Sequence, residues 1–440
     1  MRKICIMLLV LFAAMTITGC GNNQSSDGIT IVKMSLKNST NENDGWFAMI
    51  DAANVLLEKE NIRIEKDIIM TDSWDDYYIT VNANFNGRVG GTIGRIAESH
   101  IPNMIKKRQL QDLTSVYNQL DMSLYNQEAF DSVAKVDGKY YGLPTGVQHM
   151  VLYYNKRIFD EYNKNNPNDP IAYPSSDWNN HSTFEEIKEI AIKLSNGQAQ
   201  NRNFGLSAGP FLSYAGMYAL SCGGYNIYDN EGNSAVDSDA FRTVYKWFDD
   251  MLTANAMPKP ADTQIETSMD KFLLGKVAMN IDGAWWLKDV LDNETFEVGI
   301  AAVPVGTEGS RGYTTSFTDC FFALSTSKHP EADKKAIQAL MSVEAITAVA
   351  STGVGGIPVH KDALEAFSSS LDVLVKDGST LYKDCFLAGA SYSVHVPYST
   401  YYNSVDQEIN QNMSQWLNGK MSYVDFVKYM DERLKYHMSK

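Results

Sequence analysis

Cysteine is scarce: five in 440 residues, with no Cys-x-x-Cys pair, and the seven histidines are scattered without a His-x3-5-His spacing. A small disulfide-stapled fold is thereby excluded, and a structural zinc site has no ligand set. Proline (12) and glycine (30) dominate no long stretch, and 44% hydrophobic against 21% charged residues describes a chain that buries a large core. Basic residues are the minority, 38 against 53 acidic, for a formal charge of -15; Lys106, Lys107 and Arg108 form the one sizeable basic cluster. Such a field repels polyphosphate backbones and argues against nucleic acid as a partner. Gly-x-Gly-x-x-Gly, Gly-x4-Gly-Lys-[Ser/Thr] and His-Glu-x-x-His are all missing, so nucleotide, dinucleotide and zinc-protease chemistry lack an anchor, and no fixed-period repeat occurs.

What is present begins at residue 2. Arg2 and Lys3 precede the apolar run Ile4 to Met15, then Thr16-Ile17-Thr18-Gly19-Cys20, the three regions of an export signal, too short and wrongly flanked for a membrane span. Ile17-Thr18-Gly19-Cys20 resembles a bacterial lipoprotein box, which implies cleavage after residue 19, lipidation of the Cys20 thiol and a polar tether over 20–28. An ordinary secretory signal with an incidental cysteine is the alternative. Loss of Arg2 and Lys3 leaves a chain still more acidic, with Cys222, Cys320 and Cys385 expected as buried free thiols.

From Gly28 the pattern is α/β. Ile29 to Leu36 reads as a strand, Trp46 to Lys59 as an amphipathic helix, Ile62 to Met70 as a strand and Asp72 to Phe85 as a helix, an order that sets helices against a mostly parallel sheet. Val147 to Asn155 is a further strand. Thr183 and Glu186 have the spacing of a capping box for a helix running to about Leu194. Val277 to Ile281, Val298 to Val303 and Phe321 to Leu324 are short buried strands, Pro330 to Val349 a long helix, and Tyr402 to Asn418 and Tyr423 to His437 close the chain as helices.

The run Met269 to Trp286 combines a helix, the Gly275 turn, a buried strand and then Asp282-Gly283-Ala284-Trp285-Trp286 at the start of the next helix. Strand ends of this kind are where α/β proteins meet ligands. The run resembles the extracellular solute-binding proteins of bacterial ABC importers, in the sugar-capturing, maltose-binding-protein-like family. Leu143-Pro144 through Lys156, Val303-Pro304, and Gly355-Gly356-Ile357-Pro358-Val359 with Asp362 agree with it. The resemblance implies a periplasmic-binding-protein-like fold: two discontinuous α/β lobes with a hinge and an interlobe cleft. One lobe would hold 29–145 plus 282–308 and the other 150–276 plus 317–440, with hinge crossovers at 146–149, 277–281 and 309–316. It further implies capture of a sugar or oligosaccharide by a monomer held on the outer face of the cell membrane by its lipid alone, delivery to a membrane permease, no cofactor and no metal. Around residues 87–100 the chain departs from the family pattern, carrying Ile96-Ala97-Glu98, which leaves the ligand contact there unassigned.

Aromatic residues make up 11% of the chain, and rings offer flat apolar faces to sugar C–H groups while carboxylates and amides meet hydroxyls. The candidate ligand contacts are Trp46, Trp74, Asp76, Gln148, His149, Tyr214, Asp282, Trp285, Trp286 and Tyr392, with Tyr398, Tyr401 and Tyr402 as a rim. Neighbours on a helix do not share a face, so one of Trp285 and Trp286 is expected to stack and the other to pack. Two other classes stay open: a secreted glycosidase using carboxyls such as Glu266, Asp282 and Asp319, and a surface adhesion or scaffold lipoprotein. A calcium loop around Asp229, Glu231, Asn233 and Asp237 lacks the glycine an EF-hand needs at its sixth position.

Overall fold

A computed structural model describes residues 28–39, 42–71, 73–196, 202–374 and 381–440; the signal segment, Cys20 and most of the tether lie outside these residues. Its strands are β1 (Thr30–Lys37), β2 (Ile62–Ile69), β3 (Ile93–Ala97), β4 (Lys135–Val136), β5 (Lys139–Tyr140), β6 (Leu143–Pro144), β7 (Gly146–Asn155), β8 (Phe204–Ala208), β9 (Val277–Gly283), β10 (Val298–Ala301), β11 (Thr314–Phe317), β12 (Asp319–Ala323), β13 (Ile357–Pro358) and β14 (Ser393–His395). A first sheet runs β2-β1-β3-β12-β6, a second runs β14-β11-β7-β9-β8 with β10 and β13 also paired to β7, and β4-β5 is a hairpin. β1 is parallel to β2 and β3, as the strand–helix–strand order requires, whereas β12 enters antiparallel beside β3.

Local chemistry sets the helix ends. Helix α1 (Asn43–Leu57) starts three residues before the expected Trp46; a turn of 3-10 helix follows and Asn61 stops it with φ 52°, a left-handed conformation asparagine tolerates. Helix α2 (Trp74–Gly87) is opened by Ser73, whose hydroxyl accepts from the backbone N–H groups of Asp75 and Asp76. The Thr183/Glu186 capping box forms, with Glu186 N–H donating to Thr183 Oγ1 at 3.2 Å and Thr183 N–H donating to Glu186 Oε2 at 2.7 Å. The stretch expected as one helix from Pro330 to Val349 is two, Pro330–Leu340 and Val343–Ala350, because Ser342 turns extended and caps the second. Cys222, Cys320 and Cys385 are free thiols, the last two buried.

Sheet membership departs from the expected partition. Val298 to Ala301 pairs antiparallel with Leu152 to Asn155 of β7, so 282–308 lies with the second sheet and not the first. β12 sits between β3 and β6 in the first sheet, and the helices Pro330–Leu340 and Val343–Ala350 pack on α1, so the chain after 317 returns to the first lobe. It comes back to the second by helix Leu381–Gly389, which packs on β7 and β10. Residues 277–281 are thus an inner strand between β7 and β8 rather than a crossover. Likewise 309–316 leads into β11 on the second sheet, and the crossing there narrows to Thr318. The physical cause is burial: Cys320 to Ala323 is apolar on both faces and fills the slot beside β3. The β6–β7 crossing is tight, since a Cβ on Gly146 would collide with the carbonyl of Gly355, itself left-handed with φ +87°.

Candidate functional site

The ends of four strands converge where the lobes meet. β3 ends at Ala97 and Glu98 follows it; β12 begins with Asp319, in register with Ala97. β9 ends in Asp282-Gly283, and β11 ends at Phe317, one residue before the Thr318 crossing. Phe317-Thr318-Asp319 therefore carries an aromatic ring to the second lobe and a carboxyl to the first.

The second lobe supplies an aromatic wall. Trp285 meets Phe317 edge to face at 5.5 Å between ring centroids, and Tyr214, from helix Leu212–Ser221, also meets Phe317 edge to face at 5.6 Å. Trp285 lies folded over Gly283, where any Cβ would collide with the indole. Tyr153 of β7 fixes that corner, its hydroxyl donating to the Gly283 carbonyl at 3.1 Å. Asp282 accepts from the Gly283 N–H at 2.8 Å, yet burial pushes its carboxyl up to about 7. Tyr398 and Tyr402 pack edge to face at 4.7 Å, and beside them burial lifts Asp406 to about 6, with the charge of Asp75 adding to the rise.

The first lobe supplies a buried ionic stack. Arg95, 2% exposed, pairs with Glu42 at 3.2 Å and with Asp319, and its guanidinium lies over Trp46 at 4.0 Å and Trp74 at 5.1 Å. Burial raises the Asp319 carboxyl and Glu42 adds to the rise, with Arg95 pulling the other way. Glu98 is 4% exposed and raised well above the usual carboxylate range by burial and by the charge of Asp319. Across the junction, the Asn403 amide donates to His100 Nδ1 at 2.9 Å, with His100 stacked on Tyr78 and its other nitrogen 3.5 Å from Asp75. Burial holds His100 down to about 4, so it stands neutral and accepts.

The expected contacts divide accordingly. Tyr214, Asp282 and Trp285 are brought together, and Trp74 stands on the opposing lobe beside Arg95. Trp286 packs against the apolar core instead. Gln148, the one position of β7 that is not buried, lies in register with Phe317. His149 points the other way, fully buried and stacked on Phe386 at 4.6 Å, because successive strand residues face opposite sides. Trp46 is 2% exposed, with Arg95 on its face and its Nε1 donating to Glu42, so it is a core residue supporting the stack. Asp76 is exposed and serves the start of α2, while its neighbour Asp75 reaches His100. Tyr392 stacks on Trp178 at 5.2 Å and donates to Asn179 Oδ1, joining His149 and His181 around Trp178 rather than the Trp285–Phe317–Tyr214 wall. Arg95, Phe317 and Asn403 carry no local signal in the sequence, whereas the Ile96-Ala97-Glu98 stretch marked a contact region without assigning Glu98 to it.

Features that could serve other chemistry are engaged elsewhere. Glu266 is paired with Lys271 and Lys276. Gly205-Leu206-Ser207-Ala208-Gly209 fits the letters of a nucleophile elbow, but Ser207 is buried inside β8 opposite Asn280, not on a strand-to-helix turn. The Asp229 carboxylate accepts from the backbone N–H groups of Glu231 and Asn233 and closes its own turn.

Comparison with known proteins bears on the whole arrangement. A binding protein of Brucella abortus (strain 2308) is 25% identical over 274 residues, 61% of this chain and 62% of the relative, so the match spans about three fifths of that protein's length. A maltotriose-binding protein of Pyrococcus abyssi is 27% identical over 169 residues, 38% of this chain and 32% of the relative. Among solved structures, an ABC substrate-binding protein of Listeria monocytogenes in complex with cycloalternan superposes with a TM-score of 0.80 at 19% identity, covering 93% of this chain and 99% of that one. The GacH receptor of Streptomyces glaucescens, known unliganded and with acarbose, superposes with a TM-score of 0.76 at 17% identity, covering 92% and 97%. These likenesses show a periplasmic-binding-protein-like fold. The family model described as bacterial extracellular solute-binding protein matches residues 54–377, and the chain belongs to that family.

Proposed function

We propose that this protein captures a sugar or oligosaccharide between its two lobes and delivers it to the permease of an ABC importer, making and breaking no bond. The observation that carries the reading is the edge-to-face run Trp285–Phe317–Tyr214 beside Asp282, set against the Trp74, Glu98 and Asp319 side of the other lobe. Rings give sugar C–H faces an apolar platform and carboxyls meet the hydroxyls at the edges. The relatives named for maltotriose, cycloalternan and acarbose support the class of solute. Their description as binding proteins supports capture over hydrolysis. Delivery follows from closure: ligand contacts to both lobes bias the closed form that a permease reads. Lipidation at Cys20 would hold the protein on the outer face of the cell membrane by its acyl chains, since a chain this acidic is repelled by anionic headgroups.

Titration with a panel of oligosaccharides, read by tryptophan fluorescence, tests the reading. Saturable binding without release of reducing ends is the expected result. Release over hours would replace it with a glycosidase, and no response to any sugar would refute it. Anchoring is tested separately: Cys20→Ser should release the protein from membranes and abolish incorporation of labelled palmitate.

A further inference from the structure

Carboxyl groups crowd the junction with little positive charge to meet them. Glu98 and Asp319 come from the first lobe, Asp282 and Asp406 from the second. Arg95 and Lys37 act on Asp319, but Arg95 is shared with Glu42. Among the described residues no ion pair reaches Glu98, Asp282 or Asp406, whose electrostatic neighbours are Asp319 for Glu98 and Asp75 for Asp406. Glu98 is the sharpest case. It is 4% exposed; it takes one hydrogen bond from the Thr318 backbone, and its Oε1 has no partner. The adjoining Thr318 hydroxyl, 1% exposed, also has none. The Tyr398 hydroxyl and the Cys320 thiol lie near enough to be coupled to it electrostatically.

A buried carboxyl with an open acceptor is costly unless something donates to it, and costlier still if its charge is unbalanced. Burial without a counter-charge holds the Glu98 carboxyl protonated in the ligand-free protein; a neutral hydroxyl leaves it so, whereas an ammonium supplies both a donor and the counter-charge that releases the proton, and such charge-assisted bonds are roughly twice as strong as neutral ones. An anionic solute would raise these buried carboxyls further and gains no counter-charge from them. Resting on the sugar reading above, we propose that the solute is an amino sugar, or an oligosaccharide containing one, whose ammonium group is received at Glu98 while a sugar face lies on the Trp285 wall.

The test compares solutes that differ in one group: glucose, glucosamine and N-acetylglucosamine, then cellotriose, fully deacetylated chitotriose and its N-acetylated form, by calorimetry near pH 6.5 with the full mature chain. The expected result is that the free-amine member of a set binds about 10- to 100-fold tighter than its partners, the size of one hydrogen bond to a charged group. That preference should shrink at high salt, and Glu98→Gln should reduce it to within about threefold. The salt series on the unaltered protein carries the test if the variant fails to fold. Neutral or acetylated sugars binding as tightly as the amines overturns the proposal and leaves the sugar reading standing. A preference that Glu98→Gln does not alter overturns the assignment to Glu98. Failure of every sugar to bind overturns both.

Discussion

Replacing Arg95 with methionine probes the stack beneath the cleft. The side chain is 2% exposed and holds Glu42 at 3.2 Å and Asp319, which are 17% and 15% exposed, while lying between Trp46 and Trp74. Methionine fills much of the same volume, so the loss is mainly electrostatic. Removing one partner of a buried pair costs about 3–5 kcal/mol, and loss of the ring contacts adds about 0.5–2 kcal/mol. Chemical denaturation followed by tryptophan fluorescence should show a loss of about 4–6 kcal/mol near pH 7.5. The sign of the pH dependence follows from Asp319. Without Arg95 only the weaker pull of Lys37 offsets the burial that already raises its carboxyl, so the folded protein binds its proton at higher pH than the unfolded chain does. The deficit is then full above the folded pKa and shrinks as pH falls toward 5. Arg95→Met with Asp319→Asn should recover at least about 2 kcal/mol of the single loss. A deficit constant between pH 5 and 8, together with strict additivity in the double variant, would refute the reasoning.

Trp285→Ala should weaken sugar binding about 10- to 100-fold with little change in stability, whereas Trp286→Ala should cost stability and leave affinity nearly unchanged; calorimetry and thermal melts separate them. Gly283→Ala pushes a methyl into the Trp285 indole and should lower affinity at least about tenfold, so an unaltered isotherm would contradict the placement of that ring. Asp282 has a folded pKa raised to about 7, so its proton stabilises the ligand-free protein at low pH and is lost as pH climbs through 7. Asp282→Asn should therefore be the more stable form at pH 8, by on the order of 1–3 kcal/mol, with the difference vanishing near pH 4. Asn403→Ala removes the bond to His100 across the junction and should lower affinity about 3- to 10-fold through the closed form, checked by comparing small-angle scattering of the liganded variant with that of the parent.

Much of the local architecture was legible in the chain. The β1-α1-β2 opening, the Thr183/Glu186 box and the Val147 to Asn155 strand within β7 follow from periodicity and capping chemistry, which act between residues a few positions apart. Lobe membership was not. Val298 to Val303 and Phe321 to Leu324 read alike as short apolar strands, and nothing local says which sheet will accept each one. That choice belongs to β7, which takes β10, and to β3, which takes β12.

The cleft shows the same division. The sequence by itself nominated Asp282, Trp285 and Tyr214, and it restricted the tryptophan pair to one stacking ring because helical neighbours diverge. The tertiary structure set Trp285 against Phe317 and Trp286 against the core, set Gln148 rather than His149 toward Phe317, and sank Trp46 under Arg95. It alone brought Glu98 beside Thr318 and Asp319, residues far away along the chain, and left one carboxyl oxygen buried without a partner. The reason is physical: a side chain's type is written locally, but its burial, its charge balance and its open hydrogen bonds depend on what distant segments bring against it.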